Sequence, residues 1–356
     1  MDKILSKSPF ITIDGRNVGS GFPVFIIAEV GVNHNGDLAT AHKMVDAIAD
    51  AGCDCVKFQT FSADEFCNNP DDVYEYISQG KVVRESMLEM FRRLELKREE
   101  FAELFDHAHD RNLIAMSTPT DKAAVDLLET LGVGAYKVGS DDLVYTPFLG
   151  YVAAQGKPVI ISTGMAELED VERAVKAIEG KAQAVILHCI SQYPTPEKEV
   201  HLRRIETLKA KFPQCVIGFS DHSWGITSAL GAVALGASVL EKHFTLDNDM
   251  AGPDHRFSAN PQQLTDLVSE VRKLEAALGD GDFKLSPHDI EMADLCHRSI
   301  YVIQDLPAGH VLCEDDFAYQ RPGTGLMPYQ TVDLVGRSLR DDVLKGEAMR
   351  LDMVKE

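Results

Sequence analysis

Between residue 24 and residue 279, short apolar runs rich in β-branched side chains alternate with longer stretches of helical periodicity, and the runs number eight. Alternation of this kind specifies parallel strands joined by helical crossovers. Eight such units close into a (β/α)8 TIM barrel more readily than they spread into an open sheet. Strands are expected at residues 24–30, 55–60, 113–118, 135–139, 158–163, 184–188, 215–220 and 238–243. Helices are expected at 38–51, 97–111, 122–131, 168–178 and 226–235, several opened by Asp, Thr or Ser suited to capping. The longest insertion, 61–93, follows the second strand and is expected to carry an extra helix; loops of that length are usually functional or mobile. After Gly279 the texture changes. Residues 280–296 are predicted as a linker with a short helix at 291–296, and 297–356 as a small β-rich domain, with 1–279 forming the barrel domain.

Charge excludes some partners. The chain has 356 residues with 35 basic and 56 acidic side chains, a formal net charge of −21. Such a surface repels phosphate backbones and anionic lipid, and no basic run offsets it, so neither nucleic acid nor membrane is an expected partner. The first twenty residues lack the apolar core of an export signal. The longest apolar run, 229–240, falls short of the roughly 18 residues that span a bilayer, so a cytoplasmic protein is expected. Seven irregularly spaced cysteines point to reduced thiols rather than disulfides.

In a TIM barrel the C-terminal strand ends form the active site, and here those ends are polar. They supply Glu29, Lys57 and Gln59, Thr118, Lys137 and Ser140, the run ISTGM, the run LHCISQYP, then Ser220 and His222, and finally His243. One buried Glu or Lys is more often an ion-pair partner than a catalyst, but the same polarity at the other seven ends as well describes a socket. Converging Lys, Ser and Thr donors suit a phosphorylated or carboxylated small molecule. His222 and His243 end neighbouring strands about 4.8 Å apart, a spacing at which two imidazoles can share a divalent metal such as Mn²⁺, Fe²⁺, Co²⁺ or Zn²⁺. The alternative is one solvent-facing and one hydrogen-bonded core histidine. His34 and His188 are weaker candidates.

The ordered set AEVGVNHNG, VKFQT, STP, YKVGS, ISTGM, LHC(x)₃YPTP, GFSDH, EKHFT and AGPDH resembles the sialic acid synthase family, which includes the legionaminate and pseudaminate synthases. The likeness runs from Val24 to the C-terminus, where the last domain resembles the family's antifreeze-like (SAF) domain. It implies a barrel plus SAF domain in a domain-swapped homodimer that condenses phosphoenolpyruvate with an N-acetylated hexose, giving a nine-carbon α-keto acid and phosphate. It also implies Mn²⁺, or else Mg²⁺ or Co²⁺, on His222 and His243. Position by position, Glu29 matches the family's active-site glutamate and Lys57 a lysine beside phosphoenolpyruvate. Thr118, Lys137, Ser140 and Ser220 match phosphoenolpyruvate-binding positions, with Ser191 where an Asn is usual. Gln59, Tyr193 and Asp254 match sugar contacts, and Arg321 an arginine extended into the partner's barrel.

The chain departs from the family at GSDD, where GSGE is usual, so Asp142 replaces a sugar-side glutamate and Asp141 adds a charge. Asn68 and Asn69 are the available matches for a sugar-binding asparagine in the insertion. The sugar is therefore N-acetylmannosamine, a diacetamido-dideoxyhexose or another aldose. Rival readings are a synthase for phosphorylated aldoses, a Schiff-base aldolase using Lys57 or Lys137, and a non-catalytic or ice-binding protein built on the last domain.

Overall fold

The computed structural model describes residues 9–355; of the N-terminal stretch discussed above, residues 1–8 lie outside it. Among the described residues no helix is long and apolar enough to cross a membrane, and all seven cysteines are free thiols. The chain divides into two compact units, one ending at Gly279 and the other starting at Asp280.

The first unit is an eight-stranded parallel barrel, with strands β1 (Phe25–Gly31), β2 (Cys55–Thr60), β3 (Ile114–Pro119), β4 (Tyr136–Val138), β5 (Val159–Ser162), β6 (Ala184–Cys189), β7 (Val216–Asp221) and β8 (Val239–His243). Ladders run in the order β3, β2, β1, β8, β7, β6, β5, β4, and β3 and β4 flank the remaining seam. Each strand begins and ends within one residue of its expected place.

Alternation along the strands sorts side chains between two cores. Outward residues such as Val56, Phe58, Tyr136, Ile161, Phe219 and Leu240 pack under the helices. Inward residues Phe25, Ile27, Cys55, Met116, Ala135, Ile160, Val185, Leu187, Val216 and Val239 fill the lower barrel. That inner core has a floor absent from the expectation. Strands Phe10–Ile13 and Arg16–Gly19 pair as a hairpin, and its Ile11, Ile13 and Val18 pack into the inner cluster. A short alternating run of this kind carries little strand signal, yet the hairpin closes the end of the barrel opposite the polar strand ends.

A buried carboxylate ties the floor to the wall. Asp54 accepts from the Ile26 amide at 2.7 Å and pairs with Arg16 at 2.7 Å and with Arg272 at 3.1 Å. One side chain thus joins the hairpin, β1, the entry to β2 and the helix Pro261–Leu278.

The insertion differs from the expected lone helix. It carries a short helix Ala63–Phe66, an antiparallel hairpin Val73–Ser78 and Lys81–Ser86, and the helix Met87–Leu94. Gln79 and Gly80 both take positive φ, 51° and 74°, which gives the two-residue turn whose twist suits a hairpin. Ser86 then caps the helix through the Glu89 amide.

In the second unit the helix is longer than expected, Pro287–Cys296, because Ser286 and Asp289 form a capping box around it. Among the described residues, regular strand structure there is limited to the ladder Ser299–Val302 with Phe317–Gln320 and isolated bridges such as Leu306 with Val343. Ile300, Val302, Leu312, Leu339 and Met349 make its own apolar core.

Asp54→Ala is expected to destabilise the barrel by about 3 kcal/mol, since it orphans a buried amide and two guanidinium groups. Equilibrium urea unfolding followed by far-UV circular dichroism measures it.

Candidate active site

The inward positions change character two residues past the apolar layer. Continuing the same parity, Ile27 leads to Glu29, Cys55 to Lys57, Met116 to Thr118, Ala135 to Lys137, Ile160 to Ser162, Leu187 to Cys189 and Val239 to Glu241. Polar groups that deep must be paired. Lys57 Nζ lies 2.5 Å from Glu29 Oε2 and 3.6 Å from Glu241 Oε2, and donates to Thr118 Oγ1 at 3.0 Å. Lys137 Nζ lies 3.8 Å from Glu241 Oε1, which also accepts from Ser220 Oγ at 2.8 Å. Gln59 Nε2 donates to Glu29 Oε1 at 3.2 Å. Two lysines and two carboxylates thus sit buried together, with Lys137 donating otherwise to its neighbour Val138 O at 3.1 Å.

Electrostatics separate the two carboxyls. Burial works against ionisation of Glu241, but the Lys137 and Lys57 ammoniums on either side overcome it and hold its pKa below the ordinary value. Burial pushes Glu29 above its ordinary value of 4.5, opposed by Lys57 and reinforced by the charge on Glu241. Burial lowers Lys137, while Glu241 and Glu29 outweigh the same burial at Lys57 and raise it. One carboxylate is therefore a fixed counter-ion, and the other is poised for proton traffic.

A rim of hydroxyls surrounds the lysines. Ser140 Oγ accepts from the Gly164 amide at 3.0 Å. A Cβ at Gly164 would stand 2.1 Å from Ser191 Oγ and 2.7 Å from Ser140 Oγ, so the glycine of ISTGM is what lets both hydroxyls close over that backbone. Ser162 Oγ is buried and has no partner. Gly31, at φ 54°, follows a break in the β1–β2 register and passes within 3.2 Å of Glu29 Oε1 at its Cβ position.

One layer further out the two histidines face each other, ring centroids 5.4 Å apart. His222 Nδ1 donates to Ile190 O at 2.8 Å, which leaves Nε2 as the free nitrogen. His243 Nδ1 is buried without a hydrogen-bond partner, 3.9 Å from Asp254 Oδ2. Burial, with His222 and Lys57 nearby, holds His243 well below its ordinary value and so neutral. Partial burial raises Asp254 to about 6. Tyr193 packs over His222 at 4.1 Å between centroids. Among the described residues no third His, Cys, Asp or Glu joins the pair as a ready-made metal cluster. The free Nε2 of His222 and the orphaned Nδ1 of neutral His243 are a donor pair that would suit a divalent ion, with water or substrate completing its shell.

Beside the histidines opens a cavity of about 600 Å³, a size typical of small-molecule sites. Gln59, Tyr193, His243 and Asp254 line its barrel side. Tyr74 and Tyr76 of the insertion hairpin, with Met90 and Phe91 of the following helix, form the opposite wall. The hairpin is pinned where the Gly252 amide donates to Ser78 Oγ at 3.1 Å and Gln79 Nε2 donates to Asp249 O at 3.0 Å.

Not every expected residue arrives here. Asp141, rather than Asp142, reaches the cavity wall, because the turn after β4 points the first acid inward; half-buried Asp142 has a carboxyl raised to about 6 by burial and by Asp141. Asn69 is exposed and bonded to Asp72. His34 Nδ1 accepts from the Gly36 amide and His188 donates to Val200 O, so both are structural. Arg321, expected to reach the barrel of a partner copy, is an exposed residue of the second unit. Conversely, Glu241 and Ser162 were not singled out from the sequence. Both sit at the inward parity of β8 and β5, and that register was the available signal.

The NeuB family profile matches residues 44–283 and the SAF domain profile residues 297–355. The chain is 38% identical over 337 residues to the N,N'-diacetyllegionaminic acid synthase of Legionella pneumophila, spanning 93% of this chain and 94% of that protein. It is 33% identical to the human N-acetylneuraminate-9-phosphate synthase, over 96% of this chain and 95% of the other. Among solved structures it superposes on an N-acetylneuraminic acid synthetase from Leptospira borgpetersenii in complex with citrate, with a TM-score of 0.73 and 34% identity over 80% of this chain and 95% of that one. The chain belongs to the NeuB family of sialic acid synthases, and is thus a biosynthetic enzyme of the transferase class.

Proposed function

We propose that this enzyme condenses phosphoenolpyruvate with an uncharged N-acetylated hexose to give a nine-carbon α-keto acid and phosphate. The observation that carries this reading is the buried pair Lys57 and Lys137, sharing Glu241 beneath a ring of hydroxyls and beside the His222–His243 pair. A small dianionic acid such as phosphoenolpyruvate suits that socket, with its carboxylate and phosphate on the ammoniums and on Ser140, Ser162, Ser191, Ser220 and Thr118. The citrate complex of the Leptospira relative is consistent with an anion-binding site.

His222 and His243 would hold the divalent ion, Mn²⁺ being the choice the donor set and the resemblance favour; when bound it supplies Lewis acidity toward an aldehyde oxygen. The chain's own groups do the rest. The lysines and hydroxyls hold C3 of phosphoenolpyruvate against the sugar's carbonyl carbon. As the carbon–carbon bond forms, positive charge develops at C2 and water adds there before phosphate leaves. Glu29, beside Lys57 and Gln59, takes the proton of that water.

The cavity argues for the kind of sugar. Its charged lining is acidic, Glu75, Asp141 and Asp254 against one cation, Arg256, which disfavours a sugar phosphate. Met90, Phe91 and Phe257 give it an apolar side suited to acetamido methyls and deoxygenated carbons. A diacetamido-dideoxyhexose satisfies both features better than N-acetylmannosamine or a phosphorylated aldose. Arg321, from the SAF domain of a second copy in a domain-swapped homodimer, would complete the site with a further cation.

The test is a panel of N-acetylmannosamine, its 6-phosphate and diacetamido-dideoxyhexoses with phosphoenolpyruvate and Mn²⁺, read by product mass and phosphate release. Turnover of a diacetamido sugar at the highest kcat/KM is expected, and preference for the 6-phosphate would overturn the sugar assignment. For Glu29, whose carboxyl must be ionised to accept a proton, activity should rise with pH along a limb lying above 4.5. In Glu29→Gln turnover should drop by about 10²-fold or more and that limb should vanish from the kcat profile. Arg321→Ala is expected to lower kcat/KM while leaving Mn²⁺ affinity, measured calorimetrically, unchanged.

A further inference from the structure

On the helix-facing side of the barrel wall, directly behind the two histidines, lies an ion pair that the chemistry above does not use. Asp221 and Lys242 are register partners on β7 and β8, both buried at 2% and 4% exposure, with Lys242 Nζ 2.8 Å from Asp221 Oδ2. Elsewhere the outward positions of these strands are Ile217, Phe219 and Leu240. An apolar pair in this place would hold the wall at least as well, because desolvating two charges consumes most of what their attraction returns. The pair therefore calls for a reason other than stability.

Its remaining hydrogen bonds supply one. β7 ends at Asp221, so His222 stands beyond the last ladder bond that would fix it. There the side chains take over. Asp221 Oδ1 accepts from the Ser223 amide at 2.8 Å and from Ser223 Oγ at 2.6 Å, and Lys242 Nζ donates to Ser223 O. His222 is thus clasped on both sides, by Asp221 before it and Ser223 after it, while its own carbonyl accepts from the Thr195 amide at 2.8 Å. The ammonium that closes the clasp belongs to the residue next to His243. A single buried group couples the two backbone segments that carry the imidazoles.

We propose that Asp221, Lys242 and Ser223 form a positioning clasp that sets the spacing of His222 and His243, and through it the affinity of the site for its divalent ion. The inference rests on the metal reading given above. Outer contacts that orient ligating histidines typically contribute 10- to 100-fold in metal affinity.

The decisive comparison sets the full-length protein beside the double variant Asp221→Leu with Lys242→Met, which leaves no unpaired buried charge. Measured are Mn²⁺ affinity by electron paramagnetic resonance of the free ion, phosphoenolpyruvate affinity without metal, and thermal unfolding. A clasp predicts a melting midpoint close to that of the unmodified protein, phosphoenolpyruvate affinity within about twofold, and Mn²⁺ bound about 10- to 100-fold more weakly. A folded double variant that binds Mn²⁺ as the unmodified protein does, or loses both ligands in proportion, overturns the proposal. If the double variant does not fold, Ser223→Ala carries the test, because it keeps both charges. Its Mn²⁺ affinity should fall about three- to tenfold, one hydrogen bond's worth, with recovery in Ser223→Thr, and unchanged affinity overturns the clasp. His222→Ala separates the two readings. If it retains Mn²⁺, the metal assignment itself fails; if it loses Mn²⁺ while the clasp variants keep it, only the clasp fails.

Discussion

The structure depends on a balance of four charges at the centre of the barrel. Glu29, Lys57, Lys137 and Glu241 occupy one inward layer, and any one of them alone there would be prohibitively desolvated. Together they are formally neutral, which is what allows a charged layer to rest directly on an aliphatic one. The neutrality is unevenly shared. Lys57 is closely engaged by Glu29, whereas Lys137 meets Glu241 only at 3.8 Å, so Lys137 is the less compensated of the two ammoniums. Arrival of a dianion would exchange internal compensation for external, freeing Glu29 from part of its lysine contact at the moment it is needed as a base.

This local arrangement also reconciles the chain with its net charge of −21. The excess of acid lies over the surface and along the cavity wall, where Asp141 and Asp254 stand, and the cations are sequestered below it. On the proposed reading a small anion would reach the lysines because short-range donors decide binding in the cleft, while larger polyanions would meet the acidic exterior. The two properties belong to different distances.

Much of this was legible in the sequence, for a physical reason. Barrel strands carry apolar runs of fixed length, and each of the eight fell within one residue of its expected ends. The strand-end signal was equally direct for Glu29, Lys57, Lys137 and the histidines, because charged residues stand out in apolar surroundings. Glu241 escaped because EKH presents three polar residues in a row, and only the inward register shows that the first and third share a face while the second, Lys242, turns away. The added charge of Asp141 was legible, but Asp142 was expected beside it, since a turn sets direction by backbone angles that pattern does not encode. The insertion hairpin was hidden by its Gln79–Gly80 turn, which lacks the Asn-Gly or Asp-Gly signature. The floor hairpin was hidden by its shortness.

The insertion hairpin has a consequence for how such enzymes diversify. The wall it forms is a self-contained excursion between β2 and the helix Met87–Leu94, and Ser78 and Gln79 pin its tip to the loop around Asp249 and Gly252. No residue of the four-charge layer comes from it. One wall of the cavity and the four-charge layer are thus written in separable stretches of chain. A change in the length or side chains of that wall would leave the residues of the buried layer in place.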